Sequence, residues 1–223
     1  MLSFIENIGL ILQRYGAVFA QGLWNTLWLS FVSVFLGTFL GILVALGKLS
    51  RHKLLNGVVS TYIEIIRGTP ILLQLYFFWL ALPNILPSIS DTTCILSALV
   101  VNASAYIAEV IRAGIQAVDA GQREASLSLG MTEWAIMTKV IFPQAIKNIL
   151  PALGNEVIVM IKQTSLASVF FFGELMTAYK QVQSTTFLAL EPLTISGLIY
   201  LFLTVTLSRI TRHFEKRMKQ NER

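Results

Sequence analysis

Long apolar stretches, separated by short polar segments, make up most of the chain. Between Arg14 and Lys48 lie 33 residues without a formal charge, and another 23 lie between Arg67 and Asp91. About 20 apolar residues in a helix are enough to cross a bilayer core of about 30 Å. The pattern predicts an all-α polytopic membrane protein whose single transmembrane domain occupies residues 1–223, with five spans at 17–46, 55–82, 89–111, 145–166 and 188–208.

Two shorter helices are predicted outside these spans. The amino-terminal sequence MLSFIENIGLILQRYG has no basic residues before its apolar ones and no small-residue cleavage site. It is therefore interpreted as a short interfacial helix rather than a signal peptide. The stretch 170–186 is expected to contain the other short helix. Within the first span, Gly37 and Gly41 have the spacing of a close-packing motif, used either within this chain or across a dimer.

Composition narrows the class of protein further. Hydrophobic residues make up 55% of the 223 and charged residues only 13%, against about a quarter in soluble domains. Five spans leave no room for a separate soluble domain. The excess of basic over acidic residues, 17 against 12, lies beside apolar stretches, which indicates membrane topology and anionic lipid rather than nucleic acid. The lone Cys94 excludes an internal disulfide, and no Cys/His cluster suggests a metal site.

The basic residues also predict an orientation. Only Arg14 and Lys180 lie on one side of the spans, whereas thirteen lie on the other side, namely Lys48, Arg51, Lys53, Arg112, Arg123, Lys139, Lys147, Arg209, Arg212, Lys216, Arg217, Lys219 and Arg223. Because Lys and Arg concentrate in cytoplasmic loops, the amino terminus is expected outside and the carboxyl terminus in the cytoplasm. This arrangement requires an odd number of spans, and five satisfies it.

The cytoplasmic loop 119–143 is far longer than two antiparallel spans need. Asp119 is placed to cap a short helix, and Gly130 to end that helix in a left-handed conformation. Thr132 can then cap a second helix, which Pro143 is expected to break. The loop is therefore predicted to be a short helix, a glycine bend and another helix.

The first of these two helices has the form of a docking helix for a groove in a partner protein. Ala125 and Ser126 are small enough for another surface to approach closely, and Leu127 and Leu129 supply apolar anchors. Loops that are longer than a connection requires are often functional. A partner on the cytoplasmic face is therefore expected.

This loop resembles the EAA loop of permease subunits of bacterial ABC importers, in particular the polar amino-acid group. The matching motif positions are Glu124, Ala125, Gly130 and Pro143. The sequence departs conservatively from the motif at three positions, Ser126, Val140 and Phe142. Three further stretches, in the correct order, resemble the same group: 62–75 (YIEIIRGTPILLQL), 103–126 (ASAYIAEVIRAGIQAVDAGQREAS) and 150–166 (LPALGNEVIVMIKQTSL).

The resemblance implies a function and a set of partners. In that family two permease subunits, identical or paralogous, enclose one path through the bacterial cytoplasmic membrane. Each loop helix sits in a cleft of one subunit of an ATPase dimer, which binds the ATP and Mg²⁺, and an extracytoplasmic binding protein delivers the amino acid. The chain itself is expected to have no cofactor and no enzymatic activity, since its nearest approach to a P-loop, Gly41 to Leu49, has the wrong spacing and no Ser or Thr after Lys48.

Polar residues inside the spans are the candidates for the substrate path, because a charge there needs a partner or a wet cavity. A zwitterionic amino acid needs a cation for its carboxylate, which Lys162 could supply, and an acceptor for its ammonium group, which Glu156 or Glu64 could supply. Lys162 could instead extend to the external head groups. The full set of candidates is Glu64, Arg67, Thr69, Glu156, Lys162, Gln163, Thr164 and Ser165.

Two acid–base pairs are spaced three residues apart, which permits neutralisation on one helix face. They are Glu64 with Arg67 and Glu109 with Arg112. The sequence Gly68-Thr69-Pro70 must weaken or kink the helix beside the first pair, and a broken helix beside charges is one way to build a site near the membrane midplane. Three polar residues of the third span, Asn102, Ser104 and Tyr106, are expected to bond to other helices rather than to substrate.

Two other classes of protein were weighed against the importer subunit. A self-contained secondary transporter would use Glu64, Glu109 or Glu156 as proton or cation sites, but the chain is short, shows no inverted repeat and has a docking helix in its longest loop. A membrane enzyme would need a nucleophile–base pair, a metal cluster or a phosphate loop, and the sequence has none of these.

Overall fold

The computed structural model describes residues 2–220, and this part of the chain is helical, with no β-strand. Arg223, which was counted in the predicted cytoplasmic tail, lies outside the described residues. Residues 2–220 contain nine α-helices, in chain order α1 (Leu2–Lys48), α2 (Lys53–Gly68), α3 (Ile71–Ile85), α4 (Asp91–Gln116), α5 (Ala120–Ser128), α6 (Glu133–Ile136), α7 (Phe142–Gln163), α8 (Leu175–Thr186) and α9 (Leu190–Gln220).

Three of these helices, α1, α4 and α9, are long and apolar enough to cross a membrane. Two bent pairs of helices also qualify by length and composition. One pair is α2 with α3, bent by 107°, and the other is the helical rod Glu133–Phe170 with α8, bent by 46°. The described residues therefore provide three candidate spans, or up to five if each bent pair counts as one.

The amino-terminal segment does not form a separate helix, so that prediction is wrong. It is the first part of α1, whose 47 residues make a helix of about 70 Å. Gly16 lies between the two predicted pieces, but a single glycine without a proline does not end a helix. Ile11 and Phe19 are buried against residues of α8 and α9, and this packing stabilises the segment as a continuation of the span.

The expected break at Pro143 is also wrong. A π-helical turn, Met137–Ile141, joins α6 to α7, and the Phe142 N–H donates to the Met137 carbonyl five residues earlier. Pro143 then lies in the first turn of α7, where a helix does not need the N–H that proline lacks. A 3₁₀ segment, Thr164–Phe170, continues the rod beyond α7.

Helix α4 lies at the centre of the fold. Its apolar window is 56% buried, against 11% for α9. The main core cluster joins α4 to α1, α3 and α7, through Leu99, Leu29, Leu75 and Met160 respectively. The predicted short helix between 170 and 186 is confirmed as α8, which packs on α1 and α9.

The glycine motif of α1 is used within this chain. A Cβ atom at Gly37 would lie 2.6 Å from the Cβ of Ala103, and one at Gly41 would lie 2.9 Å from Cγ2 of Ile107. Both neighbours are on α4. Only glycine permits this approach of the two backbones, so the motif holds α1 against the centre of the fold.

Candidate functional site

The first part of the predicted docking loop (residues 119–143), from Asp119 to Thr132, has the predicted local structure. The Asp119 side chain caps α5 by accepting a hydrogen bond from the Gly121 N–H at 2.7 Å. Gly130 has φ +76°, in the left-handed region, and its N–H donates to the Leu127 carbonyl at 2.9 Å. Thr132 caps α6 by accepting from the Ala135 N–H at 3.3 Å. The cap, bend and second cap are therefore confirmed.

The α5 helix presents most of the predicted docking residues to the outside of the chain. Glu124 and Ala125 are exposed, and the leucines Leu127 and Leu129 are exposed to 42% and 82%. Ser126 instead faces inward, where its hydroxyl donates to the Gln122 carbonyl. The surface of α5 is therefore available to a partner, with Ser126 on its inner side.

Trp134 on α6 extends this exposed apolar surface, and the sequence analysis did not select it. Its side chain is 77% exposed, on the far side of the Gly130 bend from Leu129. The two helices are held together by an ion pair between Arg123 and Glu133, and Glu133 also lies 3.8 Å from Arg51. An exposed tryptophan beside exposed leucines is typical of a protein–protein contact. The sequence signal for Trp134 was its place in the first turn of α6, which directly follows the predicted cap Thr132.

A second polar feature lies between α1, α2 and α4. It is a groove of about 510 Å³ whose polar lining comes from Lys48, Asn56, Ser60, Glu64, Arg67, Glu109, Arg112 and Gln116. The groove holds basic and acidic side chains side by side. Such a lining can contact both ends of a zwitterion.

The ion pairs of the groove differ from one of the two predicted pairings. Glu109 accepts two hydrogen bonds from Arg112, at 3.0 Å from Nε and 2.8 Å from Nη2, which confirms that pair. Arg67, however, pairs with Glu109 at 3.4 Å and not with Glu64. Its guanidinium also lies over the Tyr106 ring, 5.3 Å from the centroid. Arg67 sits on the last turn of α2 beside α4, so the tertiary contact outweighs the local spacing.

The break between α2 and α3 is confirmed, and a glutamine side chain hydrogen-bonds to the groups beside it. Gln74 is buried, and its amide donates to the Ile66 carbonyl at 2.7 Å and to the Thr69 hydroxyl at 2.9 Å. Asn102 on α4 donates to the Gln74 carbonyl oxygen at 2.9 Å. Backbone groups freed by a broken helix need such partners inside a membrane protein. Thr69 is therefore part of the break, and the sequence analysis missed Gln74.

The other two polar residues of the third predicted span also contact other helices. Ser104 and the Tyr62 hydroxyl on α2 lie 2.6 Å apart, within hydrogen-bond distance. Tyr106 contacts Arg67 of α2 through its ring. The contacts of Asn102 and Ser104 confirm the expected interhelical hydrogen bonds, whereas the contact of Tyr106 with α2 is made by its ring.

The candidate residues on α7 and in the 3₁₀ segment that follows it differ in exposure. Glu156 is half-buried. Lys162 is exposed and Gln163 half-buried. The hydroxyls that follow bond to the preceding backbone: Thr164 donates to the Ile161 carbonyl at 2.8 Å, and Ser165 to the Lys162 carbonyl at 2.6 Å. These last two residues are therefore satisfied without a ligand.

The sequence analysis also missed a buried carboxylate, that of Glu174 at the start of α8. It accepts hydrogen bonds from the N–H groups of Met176 and Thr177, both at 2.7 Å, and from the Tyr200 hydroxyl of α9 at 2.9 Å. The neighbouring Leu175 N–H donates to the Thr26 hydroxyl of α1 at 3.1 Å. These bonds hold α8 between α1 and α9.

A helical membrane-spanning chain with an exposed capped loop helix and a polar groove is typical of a transport permease. Comparison with known proteins agrees: residues 37–220 match the family model for a binding-protein-dependent transport system inner membrane component. The chain belongs to this family, and it is a permease subunit of the amino-acid ABC importer group.

Two relatives illustrate this group. The arginine transport system permease protein ArtQ of Bacillus subtilis is 38% identical over 203 residues, which cover 91% of this chain and 93% of the relative. The glutamine transport system permease protein GlnP of Escherichia coli K12 is 36% identical over 201 residues, which cover 89% and 92%. Both cover nearly the whole chain, so the family assignment extends beyond the loop motif.

Two solved structures share the fold. A crystal structure of an amino acid ABC transporter with histidines contains a chain that is 48% identical, with a TM-score of 0.90 and coverage of 93% of this chain and 97% of that one. The inward-facing MetNI methionine ABC transporter contains a chain that is 21% identical, with a TM-score of 0.76 and coverage of 90% and 96%. At that lower identity the second likeness concerns the fold alone.

Proposed function

We propose that this chain is the membrane-spanning subunit through which an ATP-driven importer carries a polar amino acid into a bacterial cell. Five spans cross the cytoplasmic membrane, the amino terminus lies outside, and the carboxyl terminus and the loop 119–143 lie in the cytoplasm. Two permease subunits, identical or paralogous, form the path. The strong bias of Lys and Arg toward one side of the spans supports this topology.

The exposed surface formed by α5, the Gly130 bend and Trp134 carries the proposal. This surface docks on the ATPase dimer, which binds and hydrolyses ATP with its Mg²⁺. Leu127, Leu129 and Trp134 are apolar anchors that a water-exposed loop would not retain without a partner. Closure of the ATPases then moves the docked helix as a rigid body, and α4, which leads into α5 through Ala117, transmits the movement to the spans.

The groove between α1, α2 and α4 is the proposed inner part of the substrate path. Arg67 and Arg112 can contact the amino-acid carboxylate, and Glu64 can contact its ammonium group. Glu156 and Lys162 on α7 are the candidates nearer the other end of the path. An extracytoplasmic binding protein supplies the amino acid, as in the relatives whose family model is named for such a protein.

The experiment that tests this function is purification of the tagged chain from its host in mild detergent, with mass-spectrometric identification of the proteins that accompany it. Recovery of an ATPase subunit is expected, and reconstituted complexes should take up an amino acid only when ATP is present. A chain that purifies alone, under conditions that keep known transport complexes intact, would contradict the proposal. Ion-driven uptake by the chain alone would support the secondary transporter, which the relatives do not favour.

A further inference from the structure

One face of α9 is apolar from Leu198 to Val205 and is left open by the rest of the described chain. Leu198, Phe202 and Val205 are exposed to 57%, 70% and 37%. Residues spaced by three or four lie on one side of a helix, so these three form a continuous stripe. The whole apolar window of α9 is only 11% buried. Within the described chain, α9 is therefore a peripheral helix.

A cluster of basic side chains continues the same stripe. Arg209, Arg212, His213 and Lys216 are all exposed, and together they line a groove of about 480 Å³. Arg209 follows Val205 by four residues. Arg212 and His213 follow Arg209 by three and four residues, and Lys216 follows Arg212 by four. The basic cluster therefore lies on the same side of α9 as the apolar stripe. The acid nearest in sequence, Glu215, is turned away from the centre of this face by about a third of a turn.

The position of the cluster along α9 matches the layers of a bilayer. The predicted span 188–208 is about 30 Å long as a helix, which equals the thickness of the hydrocarbon core. Arg209 then lies at the edge of the core, and Lys216 lies about 10 Å further along the axis. Long basic side chains can reach back toward the membrane from there. The cluster is thus at the depth of lipid phosphates.

We infer that this face of α9 is a binding site for an anionic phospholipid. The phosphate and any further negative group of the lipid head contact Arg209, Arg212 and Lys216, and an acyl chain lies along Val205, Phe202 and Leu198. Both halves of the lipid find a matching surface on one helix face, and the cationic half has no acidic side chain at its centre. This inference does not depend on which amino acid is carried or on where the groove of α2 and α4 leads.

The test uses the intact transport complex in nanodiscs of phosphatidylcholine, with phosphatidylglycerol as the anionic probe, and measures lipid binding by native mass spectrometry and thermal melting. In the variant Arg212→Gln/Lys216→Gln we expect roughly 30-fold weaker phosphatidylglycerol binding, because each surface charge contributes about fivefold. Phe202→Gln should weaken binding without changing the charge. The matched control Arg14→Gln/Lys53→Gln removes the same two charges from exposed positions off this face and should bind as the wild type.

Three outcomes would overturn the inference. The first is phosphatidylglycerol binding by Arg212→Gln/Lys216→Gln that equals that of the wild type. The second is equal binding of glycerol 3-phosphate, which carries the charge without acyl chains and would show a site for a free anion. The third is efficient cross-linking of Phe202→Cys to a second permease subunit, which would show that protein, not lipid, covers the stripe.

Discussion

The left-handed conformation of Gly130 offers a substitution whose effect comes from the backbone alone. A Cβ atom built at Gly130 meets nothing within 4 Å, so an added side chain has room. The φ of +76°, however, is one that side-chain-bearing residues rarely adopt. A left-handed conformation costs an L-residue about 1–2 kcal/mol, and a β-branched valine tolerates it worst. Asparagine adopts it more readily.

This cost is comparable with what holds the bend together. The Gly130 N–H bonds to the Leu127 carbonyl at 2.9 Å, and the Met131 N–H bonds to the Ser126 carbonyl at 3.1 Å. Each bond contributes about 0.5–1.5 kcal/mol net. A strain of about 1–2 kcal/mol therefore lowers the equilibrium constant for forming the bent loop by roughly five- to thirtyfold. A valine at this position should leave α5 intact but change its angle to α6.

The assay is the ratio of amino-acid uptake to ATP hydrolysis in the reconstituted complex. Gly130→Val is expected to lower this ratio several-fold while the complex still assembles, since a misdirected α5 no longer transmits ATPase closure. Gly130→Asn should stay close to the wild type. Gly57→Val is the matched control, because Gly57 is helical and also has open space around its Cβ position. Equal coupling ratios for the Val and Asn variants of Gly130 would refute the reasoning.

Three further predictions concern helix packing, a buried hydrogen bond and the substrate path. Gly37→Ala places its Cβ 2.6 Å from an α4 side chain and should lower stability by about 1–3 kcal/mol. Gly16→Ala on the same helix meets open space and should not lower the melting temperature, so equal melting of the two variants would contradict the packing. Asn102→Leu removes a buried hydrogen-bond partner of Gln74 and should lower the free energy of unfolding by about 1–3 kcal/mol. Adding Gln74→Leu should lower it by less than Gln74→Leu does alone, and additive effects of the two substitutions on thermal melting would contradict the pairing. Lys162→Ala should abolish uptake in an assembled complex, and normal uptake would instead indicate a side chain that reaches the head groups.

The local parts of the loop were predictable because short-range chemistry determines them. Asp119, Gly130 and Thr132 act on backbone groups within three residues of themselves, so their roles can be derived from the sequence alone. The break at Gly68-Thr69-Pro70 also has a local cause, since proline lacks the N–H of a helical hydrogen bond and the glycine beside it weakens the helix further. Local chemistry does not say what these positions do, and the predicted function came from the resemblance to permeases.

Two of the wrong predictions, those for the amino-terminal segment and for Pro143, arose where a distant contact or a variant helical turn outweighed a local rule. The amino-terminal segment continues α1 because Ile11 and Phe19 pack on α8 and α9, which are more than 150 residues away in the chain. Pro143 does not end its helix because a π-helical turn precedes it. Pro143 then lies in the first turn of α7, where the N–H that proline lacks is not needed. Neither packing nor a π-turn has a signature in hydrophobic periodicity.

By itself, the sequence determined the membrane class and the caps of the predicted docking loop, because hydropathy and local hydrogen bonding act over a few residues. Only the tertiary structure decided which side chains meet. It pairs Arg67 with Glu109 instead of Glu64, connects Gln74 to Asn102, and places the Gly37 motif against α4. Each of these contacts joins residues 28 or more positions apart. Spacing along one helix cannot predict them, because they depend on how whole helices cross.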